Sequence, residues 1–448
     1  MARRAARARS AARDVNAPPT TARVVALDAL VRVEDGAYAH VVLPAMLAQT
    51  ELADRDRAFA TDLVYGTVRS QRRLDDLLAR VVKRPVRRLD PPVRAALRIG
   101  AYQLLHDTPP HAAVASTVDA VAARSPRARG FVNANLRALT RLPRPWPEPD
   151  DDAVALSYPD WLVDRLTTEL GVDDARGALL AMNEPAAVTV RPDPRQVTAT
   201  ALADELRAAG ADVEIGRLVP DALVVRGIGD PGRLPAVRDG RATPQDQGSQ
   251  AVVTALGAMP GERIADLAAA PGGKATALAE RVGGAGAVVA LDIDAGRVRM
   301  IDGARHRVGL PHLFPIVGDA RTPPFADMTF DRVLLDAPCS GIGVLRRRPD
   351  ARWRLQPAAI DELAALQREL LTAAAPLVRP GGVLLYSVCT LTDAETVDVD
   401  QWAVTALPGF SPLPPPGAPW RPRGRGALLL PQAAGTDGMF VLTLERTR

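Results

Sequence analysis

The sequence predicts an α plus α/β multidomain protein: an all-α bundle first, a small α/β module next, and a doubly wound, mostly parallel sheet last. Two observations carry the prediction. From about residue 20 to 142 apolar residues recur at helical spacing with no strand signal between them, and from about 250 onward short apolar runs alternate with helical stretches. A third observation concerns chemistry. The chain of 448 residues has two cysteines, and each sits at the C-terminal end of an apolar run, Val333-Leu334-Leu335 in one case and Val383 to Val388 in the other.

Residues 1–18 carry Arg3, Arg4, Arg7, Arg9 and Arg13 with almost no acid, so a disordered basic arm is expected, available for loose contact with RNA. The bundle is assigned to 19–143. Thr21 can cap a helix with Val24, Leu27, Leu30 and Val31 on one side. Phe59, Leu63, Val64 and Val68 repeat the pattern, and Pro91-Pro92 can open a helix bearing Val93, Leu97, Ala101 and Leu104. His111 to Val121 and Phe131 to Leu139 supply two more. Residues 144–155, rich in Pro, acid and Arg, read as a linker. The small module, 156–248, begins with a helix start at Ser157-Tyr158-Pro159-Asp160-Trp161 and continues with β-type runs at 188–190 and 223–225 around a helical stretch at 200–209. In the last domain, 249–448, strands are expected at 264–267, 288–291, 314–317, 333–335 and 383–388. An antiparallel closing strand is expected at 439–444.

Composition narrows the class. Apolar residues make up 47% of the chain, enough for sizeable cores, yet no run approaches the ~18 uninterrupted apolar residues a membrane span needs. No apolar signal core stands at the N-terminus, so a cytoplasmic protein is expected. Two distant cysteines do not make a disulfide framework, and the five histidines lack metal-ligand spacing, so no metal is expected. No oligomerisation seam is visible, and a monomer is expected. Of the 56 basic residues only Lys83 and Lys274 are lysines. An arginine excess suits phosphate contacts, and it also makes a lysine inside a glycine loop conspicuous.

That loop is Asp266-Leu267-Ala268-Ala269-Ala270-Pro271-Gly272-Gly273-Lys274, between the first strand and the first helix of the last domain. Small residues let backbone approach a ligand closely, and a helix N-terminus favours negative charge. The spacing is neither G-x-G-x-x-G nor a P-loop. The second strand ends in Asp292, placed to hydrogen-bond a ribose diol, and the third ends near Asp319, placed to face an adenine. The set suits a nucleoside cofactor without a pyrophosphate, S-adenosylmethionine rather than NAD. The fourth strand ends in Asp336-Ala337-Pro338-Cys339-Ser340-Gly341, where open α/β sheets bind ligands.

Ala269-Ala270-Pro271-Gly272-Gly273-Lys274, Asp336-Ala337-Pro338-Cys339-Ser340-Gly341 and Ser387-Val388-Cys389-Thr390 resemble, in that order, the motifs of the RNA cytosine-C5 methyltransferases. In the bundle, Arg98 to Leu105 and Gly130 to Leu136 resemble the NusB-like RNA-binding fold, which points to the RsmB/Sun (Fmu) branch of that family. The resemblance implies a class I Rossmann-like methyltransferase domain with a seven-stranded sheet, S-adenosylmethionine as cofactor, an RNA-binding middle module, and 16S ribosomal RNA as the substrate. Two positions depart from the family pattern: Ala268, where many relatives carry Cys, and Ala275, where Thr is usual.

The chemistry explains the residue types. C5 of cytosine is a poor nucleophile; a thiolate adding to C6 turns the ring into an enamine that C5 can use. A free thiol titrates near ~8.5, so the attacking sulfur needs surroundings that favour the thiolate. Spacing does not decide which sulfur attacks, and the DNA cytosine methyltransferases, whose Pro-Cys motif carries the nucleophile, would favour Cys339. The RNA-family resemblance implies the reverse: Cys389 as nucleophile and Cys339 in product release. It also implies Asp336, neutral or sharing a proton, against N3, and Lys274 as a further catalytic residue, with both also in the cofactor-binding set. Arg346, Arg347 and Arg348 follow Cys339 and are expected to hold RNA phosphates. The target base must leave its stack, which favours single-stranded or opened RNA. The other readings are the same reaction on transfer RNA, or an RNA-binding factor without catalysis.

Overall fold

A computed structural model of the chain describes residues 21–447; the basic arm expected over 1–18 lies outside the described residues. The chain forms two compact units that divide between Ser157 and Tyr158.

The first unit is helical throughout. Its main helices are α1 (Ala22–Glu34), α2 (Ala39–Ala48), α3 (Asp54–Arg69), α4 (Gln71–Ala79), α5 (Pro91–Leu105), α6 (Pro110–Ala122) and α7 (Arg129–Thr140). Thr21 caps α1 as expected, its hydroxyl accepting from the Val24 amide at 3.3 Å. Helix α5 is the centre, apolar almost all round and buried over most of its length. Its neighbours come close because two contacts are glycine: a Cβ at Gly66 would lie 2.1 Å from the Tyr102 ring, and one at Gly100 would lie 2.5 Å from Leu136. Arg98 on α5 forks onto Asp75 (2.8 and 2.7 Å) and reaches Glu34 (2.6 Å), which ties α5 to α4 and α1.

Residues 144–155, expected as a linker, are packed onto this unit. Arg144 donates to the Leu104 carbonyl (2.6 Å) and stacks 4.3 Å over Trp146, which is buried. Arg73 donates to the Pro147 carbonyl (2.8 Å), and Asp151 caps a short helix, Asp152–Ala155. The Pro and acid content that suggests a tether instead supplies turns and a cap.

The second unit opens with two helices, Asp160–Leu170 and Val172–Asn183, followed by a four-stranded antiparallel sheet. Its strands β1 (Val188–Pro192), β2 (Asp212–Ile215), β3 (Leu223–Arg226) and β4 (Ala242–Pro244) run in the order β2-β3-β1-β4. Helix Ala199–Ala208 packs Leu202, Ala203 and Leu206 against Val190, Val213, Leu223 and Val225.

The same unit continues into the large sheet. Strands β5 (Arg263–Asp266), β6 (Ala287–Asp292), β7 (Leu313–Val317), β8 (Phe330–Asp336) and β9 (Val378–Val388) are parallel and lie side by side as β9-β8-β5-β6-β7. The order reverses direction beside β5, which opens a crevice at the C-terminal ends of β5 and β8. Strand β13 (Met439–Arg446) closes the sheet antiparallel to β9, as expected. The sheet has nine strands where seven were expected, because β10 (Phe410–Pro412), β11 (Arg421–Arg423) and β12 (Gly426–Leu429) pair along β13 and its neighbour. Those three are too short, and two of them too Pro-interrupted, to show alternation in the sequence. Among the described residues no helix is long and apolar enough to cross a membrane.

Candidate active site

The first half of the site is a loop fixed by backbone hydrogen bonds. After β5, the Leu267 amide donates to the Leu334 carbonyl (3.0 Å) and the Ala269 amide to the Leu291 carbonyl (2.9 Å). Gly272, at φ +104°, turns the chain into helix Gly273–Val282. Asp292, at the end of β6, is buried; it accepts from the Ala270 amide (3.1 Å) and the Asp294 amide (3.1 Å). It therefore braces the loop, and the remaining lone pairs of its carboxylate are those a ribose diol would meet. Asp319 follows β7, where the Gly318 amide donates to the Asp292 carbonyl (3.1 Å). Its carboxylate is held by Arg321, whose guanidinium and amide keep its pKa below the usual range.

Asp266, the last residue of β5, was not anticipated. It is 1% exposed and its carboxylate has no side-chain hydrogen-bond partner, only the backbone of Ala268 supporting the charged form. Burial, then the nearby Asp336 charge, push its pKa up to about 7. A buried acid with no side-chain hydrogen bond, beside a glycine turn and a helix N-terminus, fits a ligand that brings its own positive charge and donors. The signal was its place, immediately ahead of the small-residue loop. The acceptors Asp266 and Asp292, held by a small-residue loop, thus fit S-adenosylmethionine, a cationic nucleoside.

The second half sits on β8 and β9. These strands are adjacent and parallel, with Asp336 opposite Ser387, so residues 50 apart in sequence meet. Cys339 Sγ and Cys389 Sγ are 3.3 Å apart, each partly exposed. Asp336 accepts from Lys274 Nζ at 2.6 Å through one oxygen and from Ser387 Oγ at 2.9 Å through the other. The Lys274 side chain is 13% exposed. Burial opposes its charged form, but the Asp336 carboxylate outweighs this and leaves the ammonium's pKa above its ordinary value, with the Cys389 sulfur acting in the same direction. Lys274 therefore joins the cofactor loop to the thiol pair. The Cys339 thiol is pushed well above the usual range, first by its hydrogen bond to Cys389, then by burial and the nearby Glu395 and Asp336 charges.

The two thiol loops are locked together. The Ala337 amide donates to the Ser387 carbonyl (2.9 Å) and the Gly343 amide to the Cys389 carbonyl (3.0 Å). A Cβ at Gly343 would lie 2.3 Å from the Gly438 carbonyl oxygen, so only glycine allows this approach.

The arginine triplet separates. Arg346 is buried and donates to the Gly435 carbonyl (2.7 Å), while Arg347 lies between Asp246 (2.6 Å) and Asp437 (2.8 Å). Arg348 alone of the three is exposed. The expectation that all three face RNA is corrected for the first two, because a backbone carbonyl claims Arg346 and two buried carboxylates claim Arg347, all from distant segments. Among the described residues no group of three His, Cys, Asp or Glu could hold a metal ion.

A parallel sheet with a glycine-rich turn after its first strand and a buried acid after its second defines an S-adenosylmethionine-dependent methyltransferase, here with a thiol pair at the acceptor side. Comparison with known proteins makes the assignment specific. Residues 253–445 match the family described as 16S rRNA methyltransferase RsmB/F, residues 20–141 the NusB family, and residues 158–230 the ferredoxin-like domain of RsmF/B-like methyltransferases. The ribosomal RNA small subunit methyltransferase B of Thermus thermophilus is 37% identical over 430 residues, covering 95% of this chain and 98% of that protein. The protein of the same name from Erwinia tasmaniensis is 33% identical, covering 95% and 99%. The crystal structure of PH0851 superposes with a TM-score of 0.82 at 28% identity, covering 96% of this chain and 100% of that one. The chain belongs to the RsmB/F methyltransferase family.

Proposed function

We propose that this protein forms 5-methylcytosine in 16S ribosomal RNA through a covalent adduct between Cys389 and C6 of the target base. The observation that carries the reading is the pair of thiols 3.3 Å apart, with the Lys274–Asp336 ion pair beside them. The names of its relatives favour small-subunit ribosomal RNA as the acceptor over transfer RNA.

Bound S-adenosylmethionine supplies an electrophilic methyl group. Everything else falls to the protein. The Lys274 ammonium lies close enough to sense Cys389, whose sulfur attacks C6. As the Cys389 sulfur bonds to C6, negative charge builds on the ring toward N3. The Lys274 ammonium, ion-paired with Asp336 at 2.6 Å, is placed to neutralise it. After methylation Cys339, once its own thiol proton has passed to solvent, takes the proton from C5; the electron pair left behind re-forms the C5–C6 double bond, the C6–S bond breaks and the Cys389 thiolate leaves. The exposed Arg348 and the NusB-like unit are the parts of this chain assigned to RNA contact.

The test separates the two thiols. Cys339→Ala should accumulate a covalent protein–RNA adduct on 16S rRNA, and Cys389→Ala should show no adduct and no methyl transfer. An adduct in Cys389→Ala would reverse the two roles. Nucleotide-resolution mapping of 5-methylcytosine in ribosomal and transfer RNA, with and without the protein, decides the acceptor.

A further inference from the structure

Glu395 plays no part in the reaction as set out above, yet its place is unusual. It is 0% exposed, and among the described residues it has no ion-pair partner. An unpaired buried carboxylate is costly, and a hydrophobic residue would fill the same space more cheaply. Five donors instead converge on it. Oε1 accepts from the Ser340 amide (2.8 Å) and Gln367 Nε2 (3.1 Å), and Oε2 accepts from the hydroxyls of Ser340 (2.6 Å), Thr390 (2.9 Å) and Thr392 (2.9 Å). Ser340 follows Cys339 and Thr390 follows Cys389. Gln367 also donates to the carbonyl of Pro338, which precedes Cys339 (2.9 Å). One anion thus grips both sides of one thiol and the far side of the other.

We infer that Glu395 is a positioning residue that holds the Cys339 and Cys389 loops in register, so that Cys339 can complete the elimination of the adduct Cys389 has formed. The inference rests on the reaction proposed above. Its logic is geometric: both sulfurs must address neighbouring atoms of one ring, and a shift of about 1 Å in such a constellation costs on the order of a hundredfold in rate. The carboxylate's charge also contributes to keeping the Cys339 thiol protonated at rest.

The test uses the full-length protein with Glu395→Gln, Glu395→Asp and Glu395→Ala. Without RNA, diamide takes two electrons and two protons from Cys339 and Cys389 to form a disulfide. The rate of that oxidation, followed by thiol labelling and mass, reports how well the sulfurs are aligned. Compared at pH high enough for the thiols to be ionised in every variant, so that easier ionisation of Cys339 without the Glu395 charge does not enter, Glu395→Gln should slow it by about tenfold while thermal stability and affinity for S-adenosylhomocysteine stay near wild type. With 16S rRNA, the same variant should accumulate covalent adduct relative to methylated product, and Glu395→Asp should recover part of the turnover. Oxidation and adduct levels equal to wild type would overturn the inference. So would losses that merely track a fall in stability and cofactor affinity across all three variants. If even Cys339→Ala yields no adduct, the reaction assignment fails, while the oxidation rates still decide what Glu395 does.

Discussion

The two halves of the site sit on the same sheet edge and are built by opposite means. At the ends of β5, β6 and β7 the cofactor side is shaped mainly by backbone: amides of Leu267, Ala269 and Ala270, the Gly272 turn, and one buried acid bracing them. At the ends of β8 and β9 the thiol side is shaped mainly by side chains: Lys274 to Asp336, Ser387 to Asp336, and five donors to Glu395. A backbone-built cradle tolerates changes such as Ala268 and Ala275, because the amides stay where they are. A side-chain-built centre does not, because each removed group leaves a partner exposed to a buried environment.

The largest effect should come where the halves meet. Lys274→Met and Asp336→Asn should each lower kcat about 10²- to 10⁴-fold, the range for removing positioned proton chemistry. Affinity for S-adenosylhomocysteine should change much less in Asp336→Asn. Equal loss of both would erase the distinction between halves. Next comes the support of the thiol side. Arg347→Ala leaves Asp246 and Asp437 facing each other in a buried setting and should cost about 3 kcal/mol of stability, seen as a lower denaturation midpoint.

The cofactor side should show itself through pH. With its pKa near 7 in the folded protein against 3.8 for the unrestrained side chain, Asp266 binds a proton in the folded state that the unfolded chain has released. Its contribution therefore lowers stability as pH rises from about 4 to 7, and nothing further is lost above that. Asp266→Asn should flatten this part of the profile in the cofactor-free protein, measured as melting temperature against pH. Cofactor added to the wild type should raise the melting temperature most near neutral pH. The smallest effect belongs to Arg348→Ala, which should leave stability within about 0.5 kcal/mol and reduce the salt dependence of RNA binding by about one unit of slope.

Much of this was legible in the sequence for definite reasons. The strands at 264–267, 288–291, 314–317, 333–335 and 383–388 appear within a few residues of the expected places, because buried parallel strands are written as short apolar runs between turn signals. The bundle's α1, α3, α5, α6 and α7 followed from apolar spacing, while α2, which runs on through Pro44, and the short α4 did not. The arginines at 346 and 347 were misjudged because their partners, Asp246, Gly435 and Asp437, lie about 90 or more residues away in the chain. Glu395 on its own reads as one more acid in a turn; its role shows only once Ser340 and Gln367, 55 and 28 residues away, fold onto it.

What the linear chain singled out unaided was the set of candidate residues: two scarce sulfurs, a rare lysine in a small-residue loop, and acids at strand ends. Local patterning was enough, since strand ends and tight turns are written in consecutive residues. What the folded chain alone decided was who meets whom. The 3.3 Å between sulfurs, the lysine shared by both halves, and the sorting of arginines into braces and one exposed cation depend on strand adjacency and burial. Those are contacts between distant segments, whose strength is set by surroundings no single stretch of sequence contains.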